Sequence, residues 1–161
     1  MKLVEAGKLK EARASWWGYD PENSTRFLQA AIDSGVPRLT IDLRNGPWNV
    51  DGLRGVSGQE LYFEGEVDIV ARRDPSIPAE RPLLDLSGLS DVRLVGFGMK
   101  FNTTNAPGRV QLSVAGSKRV RIEGARFEGC DERGIVVDGV KHCVFREVTR
   151  THGGRKHPVK F

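Results

Sequence analysis

Three short segments decide the fold of this chain: LDLSG (84–88), LSVAG (112–116) and IVVDG (135–139). Each is a short alternating run that ends at a glycine, and a second apolar run begins four residues later, at VRL (92–94), VRI (120–122) and CVF (143–145). The glycines are 28 and 23 residues apart, and residues 102–109 form an extra loop within the longer step. A repeat of this length, with strand and turn content but no helical spacing, predicts a solenoid of stacked β coils.

Stacking of the coils predicts columns of similar side chains, because equivalent inward positions lie on one another. The four expected inward columns are Leu84/Leu112/Ile135, Leu86/Val114/Val137, Val92/Val120/Cys143 and Leu94/Ile122/Phe145. Positions between them are mostly polar, which gives the inside–outside alternation of a strand. Gly96 and Gly124 share a further column at a tight bend. In the third strand of each coil we align Met99 with Phe127, and Arg150 falls on the same inward column.

The region before the repeats predicts a cap and further strands. Residues 2–15 are rich in helix-forming types, and a second helix begins at Asn23 or Ser24 and ends at Gly35. We expect this amphipathic helix to cover the open end of the first coil. Strands are expected at 39–43, 48–50, 60–63 and 67–71. The charged, proline-rich loop at 72–82 either forms the rim of a binding groove or only connects two unequal coils.

Composition fits one globular domain of residues 1–161, with a helical N-terminal cap at 1–35 and β coils at 36–161. No run approaches the roughly 18 apolar residues of a membrane span, so no membrane partner is expected. No signal peptide is visible, which makes a cytoplasmic location the default. Cys130 and Cys143 fall at different positions around the coil and are interpreted as free thiols.

Charge is concentrated at the C-terminal end of the sequence. The net charge is +4, of which residues 141–161 contribute +5 and the rest −1. A basic end can attract an acidic polymer, whereas the simpler interpretation is a solvated last coil. No nucleic-acid partner is expected.

Two long segments carry a resemblance to a known superfamily. ARASWWGYDPENST (12–25) and LQAAIDSG (28–35) resemble the opening of pectate-lyase-like right-handed parallel β-helix proteins, and SGQELYFE (57–64) and LSDVRLVGFG (89–98) resemble their later coils. The resemblance implies an all-β fold, a right-handed parallel β-helix of about five coils with an N-terminal α-helical cap. It also implies a carbohydrate polymer as the substrate, since the superfamily contains polysaccharide lyases, glycoside hydrolases, epimerases and phage tailspikes. Such proteins usually have more coils, so the chain is expected to be truncated at its C-terminus.

The candidate site combines a polar turn on one coil with a polar turn on the next. The 23-residue step places Asp131 near Gly154, and this arrangement resembles the D-D, G-H-G and R-x-K order of polygalacturonases. Carboxylates there could act as general acid and base on a glycosidic bond. The expected catalytic residues are Asp131, Glu132 and His152, and the expected substrate-binding residues are Arg133, Arg155 and Lys156.

Cofactor and partner expectations follow from the same residues. No cofactor is expected; Ca²⁺, which a lyase would use to neutralise its substrate, has only scattered acids such as Asp85 and Asp138 to hold it. Cys143 faces inward and His142 outward, which excludes a shared zinc site. Two classes of function remain open: an enzyme acting on an acidic polysaccharide by hydrolysis or elimination, and a non-catalytic structural or binding solenoid. The uncovered last coil also predicts a homo-oligomer.

Overall fold

The computed structural model describes residues 9–129, 134–152 and 155–158, with the backbone alone for 152 and 155–158. The described part of the chain is mostly β, with one α-helix, α1 (Thr25–Asp33), and a 3-10 turn at Ala14–Trp16. None of its helices is long and apolar enough to cross a membrane. The strands are β1 (Glu11–Arg13), β2 (Arg38–Ile41), β3 (Trp48–Val50), β4 (Leu53–Arg54), β5 (Glu60–Phe63), β6 (Asp68–Ala71), β7 (Leu84–Asp85), β8 (Arg93–Gly96), β9 (Lys100–Asn102), β10 (Leu112–Ser113), β11 (Arg121–Glu123), β12 (Arg126–Glu128), β13 (Ile135–Val136), β14 (Val144–Arg146), β15 (Thr149–His152) and β16 (Arg155–Pro158).

These strands form three sheets, and a typical coil gives one strand to each. The first sheet has the order β1-β2-β5-β8-β11-β14, the second β4-β7-β10-β13 and the third β3-β6-β9-β12-β15-β16. Neighbouring strands from successive coils pair in parallel in all three sheets. The predicted all-β parallel solenoid is therefore confirmed.

The register of the first two sheets confirms the predicted inward columns. Leu112 lies between Leu84 and Ile135 in the second sheet. In the first sheet Ile122 lies between Leu94 and Phe145. The column one step earlier is then Val92, Val120 and Cys143; the two valines are fully buried, whereas Cys143 is half-buried.

The third sheet corrects one alignment. Phe127 pairs with Phe101, not with Met99, and their rings stack 5.4 Å apart. The error arose because the turn before β9 is two residues longer than the turn before β12: Gly96 stacks with Gly124 as predicted, and the additional Phe97 and Gly98 loop outward. Phe97 is 79% exposed. A residue count that assumes equal turns cannot register such an insertion.

Arg150 does fall on the inward column of Phe127, as the alignment expected. Its Nε atom is buried without a hydrogen-bond partner. On its other side Arg150 faces His157 of β16, which pairs antiparallel with β15 and forms the outer edge of the third sheet. The chain thus folds back over that edge, while β13 and β14 are the outermost strands of their sheets.

The N-terminal region departs from the helix predicted over residues 2–15. Residues 1–8 lie outside the described part, and Glu11–Arg13 forms β1, which pairs with β2. Ala12 and Ala14 are buried there. Helix propensity loses at this point because adding a strand to the sheet buries the small side chains and satisfies the backbone.

Helix α1 packs its apolar side against the core and is tied to the coils by two glutamines. Leu28, Ala31 and Ile32 are buried. Gln59 donates from Nε2 to the carbonyls of Ile32 (3.2 Å) and Val36 (3.0 Å), so it satisfies acceptors that the helix end leaves open. Gln29 makes a reciprocal pair of hydrogen bonds with the backbone of Arg54 in β4, at 2.8 and 2.9 Å.

Candidate functional site

The loops that follow the third sheet enclose a cavity of about 300 Å³, here named the loop groove. One wall is the proline-rich loop at 72–82, and the other is the extra loop at 102–109 that lengthens one repeat. Its polar lining includes Arg73, Asp74, Asn105 and Arg109. Its apolar lining consists of Pro75, Ile77, Ala79, Ala106 and Pro107.

The first wall owes its shape to a turn at Asp74. The Asp74 carboxylate accepts hydrogen bonds from the backbone N–H (2.9 Å) and the hydroxyl (2.6 Å) of Ser76, and its carbonyl accepts from the N–H of Ile77 (3.1 Å). Aspartate stabilises turns in this way by bonding to the backbone two residues on. The N–H of Val110 donates to the carbonyl of Ala79 (2.8 Å) and joins the two walls.

Arg109 lies at the base of the loop groove and is only 4% exposed. Its Nε donates to the carbonyl of Arg81 at 3.0 Å, and its Nη2 donates to the carbonyl of Asp51. Its Nη1 is buried and has no hydrogen-bond partner. Burial lowers the pKa of Arg109, and the nearby charge of Arg81 lowers it further. The guanidinium is therefore held by neutral carbonyls.

Carboxylates do not offset the arginines of the loop groove. Within the described residues no ion pair reaches Arg73 or Arg109, and the carboxylate of Asp51 pairs instead with Arg72 at 2.7 Å. Asp74 is the acid in the lining, and its hydrogen bonds from Ser76 hold its pKa below the ordinary value. The loop groove consequently carries an excess of positive charge.

A second charged surface, here named the arginine face, lies on the outer side of the first sheet. Arg93, Arg119 and Arg121 line an open cavity of about 410 Å³ together with Asp91 and His142. All three arginines are paired, Arg119 bidentately with Asp91 at 2.6 and 2.9 Å. Arg93 is 3.5 Å from Glu60, and Arg121 is 3.6 Å from Glu123.

The pairing on the arginine face is visible in the titration of its groups. The hydrogen bond from Arg119 lowers the pKa of Asp91, and the same bond raises the pKa of Arg119. Both groups are fully exposed, so water screens most of this interaction. The arginine face is thus internally neutralised and leaves little charge for a ligand.

A third cluster lies on the outer side of the third sheet. Lys100 Nζ is 3.4 Å from Asp68 and 3.7 Å from Glu128, so one ammonium serves two carboxylates on successive coils. One oxygen of Asp68 is buried without a hydrogen-bond partner. Burial raises the pKa of Asp68, against the opposing effect of Lys100. A raised pKa beside a second carboxylate is a pattern found at catalytic sites and also in structural ion networks.

The structure describes half of the cluster predicted from the sequence. Asp131, Glu132 and Arg133 lie outside the described residues, as does Cys130. The antiparallel pairing of β15 and β16 places His152 directly opposite Arg155, and Thr151 opposite Lys156. The predicted proximity of His152 and Arg155 is thus present in the backbone, and it arises from a hairpin instead of coil-on-coil stacking.

Sequence reasoning missed Arg109. It stands at the end of the extra loop, immediately before the buried run of β10, where an arginine on a long loop looks like an ordinary solvated residue. The available signal was position: a charged residue that borders a buried strand has to find acceptors nearby. The proline-rich loop at 72–82, in contrast, was recognised as a possible groove wall.

Metal ligands and reactive thiols are scarce in the described residues. Among them no group of three or more histidine, cysteine, aspartate or glutamate side chains is placed to hold a metal ion. Cys143 is a free thiol, and its sulfur lies 3.7 Å from the hydroxyl of Ser117.

Comparison with known proteins bears on the fold. Neither a protein-family model nor a curated protein sequence matches the chain. The chain is similar to the crystal structure of a putative glycosyl hydrolase from Parabacteroides merdae, with a TM-score of 0.69 and 15% sequence identity. The match covers 88% of this chain and 74% of that one. At this identity the likeness shows that the two proteins share a fold.

Proposed function

We propose that the protein is a carbohydrate-active β-helix protein, related to polysaccharide lyases or glycoside hydrolases, that binds or acts on an acidic polysaccharide. The finer architecture that accompanies this proposal is a right-handed, pectate-lyase-like β-helix of about five coils with α1 as its N-terminal cap. The chain then represents such a protein or its N-terminal part.

The observation that carries the proposal is the excess positive charge of the loop groove. Arg73 is exposed and Arg109 is buried, and in the described residues neither has a carboxylate within ion-pair distance. A buried cation without a counter-charge is unfavourable, so an anion in the groove would stabilise the folded protein. Acidic sugars supply such an anion together with a ring that can lie against the apolar wall.

Two further features support the same conclusion. The basic surplus of residues 141–161 would attract a polyanion from a distance. The structure of similar fold is described as a glycosyl hydrolase, which agrees with a carbohydrate ligand. Fold alone hosts many activities, so the ligand argument rests on the groove.

Within this proposal the last coils supply the chemistry. Asp131 and Glu132 would serve as general acid and base, and His152 would assist proton transfer. Arg133, Arg155 and Lys156 would bind the acidic groups of the substrate through charge-assisted hydrogen bonds. The β15–β16 hairpin supports this grouping because it sets Arg155 opposite His152.

The test is a binding and product-release assay across polyuronates and neutral glycans at two ionic strengths. We expect polyuronate binding that weakens at high salt, because exposed charges are screened. Charge reversal at both Arg155 and Lys156 should weaken binding further, and Asp131→Asn should leave it nearly intact. We expect slow or undetectable turnover if the chain lacks part of the catalytic apparatus.

Two outcomes would change this picture. Rapid turnover that Asp131→Asn or His152→Ala abolishes would establish the last-coil cluster as catalytic. Absence of binding to every glycan at low salt would contradict the proposal and favour a structural solenoid.

A further inference from the structure

We propose that the loop groove is a subsite for a single carboxylate-bearing sugar residue, with Arg73 and Arg109 as its cationic groups and the apolar wall as the support for the ring. The inference rests on the proposed function, since it names the unit of the acidic glycan that this groove takes. It differs from the last-coil cluster in position, since the groove lies between residues 72–82 and 102–109.

The charge of the groove calls for an anion. Arg109 is anchored by the carbonyls of Arg81 and Asp51, so its guanidinium is fixed before any ligand arrives. Carbonyl dipoles offset only part of a buried charge, and the unpartnered Nη1 remains. Arg73 adds an exposed cation on the opposite wall. A carboxylate between the walls could bond to Arg73 directly and would offset the charge of Arg109 across a poorly hydrated space.

The second loop adds a polar group that suits a sugar. Asn105 lines the groove, is exposed, and can both donate and accept hydrogen bonds. Hydroxyl groups need such bifunctional partners, whereas a simple inorganic anion does not. The groove therefore presents cations for an acid group and an amide for hydroxyls.

Volume and lining limit the ligand to about one residue. A cavity of about 300 Å³ lies at the lower end of the range for small-molecule sites, roughly 300–1,000 Å³. Pro75 and Pro107 are rigid apolar groups, one on each wall, that can contact the face of a ring. An extended polymer would place one unit here and lie over the neighbouring surface with the rest.

The experiment measures binding of galacturonic acid by NMR chemical-shift perturbation and calorimetry, next to two probes. The methyl ester of galacturonic acid has the same ring without the charge, and acetate has the charge without the ring. We expect the acid to bind in the millimolar range, with the ester and acetate each weaker by about tenfold. Equal binding of acid and ester would overturn the role of the arginines. Equal binding of acid and acetate would show a site for any small carboxylate and overturn the assignment of a sugar.

Three variants place the ligand in the groove. Arg73→Gln removes the exposed cation, and Ala79→Tyr fills the groove without changing charge; each should weaken galacturonate binding by about fivefold or more. Arg126→Gln is the matched control, because Arg126 is also exposed but lies on the outer side of the third sheet, so binding should not change. Circular dichroism verifies that each variant is folded.

Failure of this inference is distinguishable from failure of the proposed function. If polyuronates bind but galacturonate does not, or if Arg73→Gln and Ala79→Tyr bind galacturonate as well as the parent protein does, the subsite assignment is wrong while the proposed function stands. If neither polymer nor monomer binds at low salt, both are wrong.

Discussion

The loop groove and the arginine face contain the same type of side chain in opposite electrostatic situations. On the arginine face the guanidinium groups of Arg93, Arg119 and Arg121 are exposed, and each has a carboxylate within 4 Å. In the loop groove Arg109 is buried and bonded only to carbonyls. An arginine therefore indicates a ligand when its charge is left without a partner, and the number of arginines on a surface does not.

The origin of the difference lies in how the two surfaces are built. Parallel stacking brings outward residues of successive coils close together, so charges of opposite sign can form ladders such as that of Arg38, Glu60 and Arg93. Loops between coils vary in length and do not stack, and their charges need not be matched. Function is accordingly more easily placed on the loops.

The largest expected effect concerns the column that carries the arginine face. Val120→Asp places a carboxylate in a fully buried column between Val92 and Cys143, and it should cost about 3–5 kcal/mol or prevent folding. Thermal denaturation would measure the loss. Arg121→Asp, one residue later, introduces the same group on the outer side and should be far milder. A similar loss in both variants would contradict the inside–outside assignment of this strand.

The next effect separates the two kinds of arginine. Arg109→Met removes the group that bonds to the carbonyls of Arg81 and Asp51 and should lower the free energy of unfolding by about 1–3 kcal/mol. Galacturonate binding should also fall. Arg126→Met is the exposed control and should change stability little. A higher Tm for Arg109→Met would show that burying the charge costs more than its hydrogen bonds contribute.

A smaller effect is expected at the carboxylate cluster of the third sheet. Burial raises the pKa of Asp68 above its ordinary value of 3.8, so the folded state favours the neutral carboxyl. That stabilisation is fully present below the unfolded pKa and is lost as the pH rises through the folded pKa. Asp68→Asn should therefore raise Tm modestly at neutral pH, and the gain should disappear near pH 3. A decrease of Tm at neutral pH would mean that the ion pair with Lys100 outweighs burial.

The smallest effect, with the opposite sign, is expected on the arginine face. The hydrogen bond from Arg119 lowers the pKa of Asp91 below 3.8, so its contribution to stability is present above that value and is lost as the pH falls through the folded pKa. Asp91→Asn should lower Tm slightly at neutral pH and not at pH 2–3. Because the pair is fully exposed, added salt should reduce the difference. A salt-independent loss would contradict the screened, exposed character of the pair.

Oligomerisation remains a prediction of the open last coil. The pairing of β16 with β15 covers one of the three sheet edges, whereas β13 and β14 are outermost in the other two sheets. Sedimentation equilibrium should show concentration-dependent self-association, which a proline at Val144 in β14 would reduce, since proline disfavours pairing at an edge. A strict monomer at high concentration would contradict this expectation.

The candidate site was less accessible to sequence reasoning than the core. The columns through Val92 and Leu94 could be read directly, because buried positions of a solenoid repeat in type as well as in spacing. The site residues that were chosen, among them Asp131 and His152, depended on a resemblance of order and spacing, and no contact now tests their roles. Arg109 was missed because burial of a charged side chain depends on two loops that no repeat describes.

The sequence by itself determined the parallel β solenoid, since the period of the glycines and the alternation of apolar residues leave few other ways to bury these side chains. It also determined the register wherever turns have equal length, as at Leu84, Leu112 and Ile135. Only the tertiary structure decided that Glu11–Arg13 is a strand, that two extra residues shift Phe101 onto Phe127, and that Arg109 is buried between two loops. The physical reason is common to all three: pairing, stacking and burial depend on partners distant in the chain, whereas local propensity depends only on neighbours.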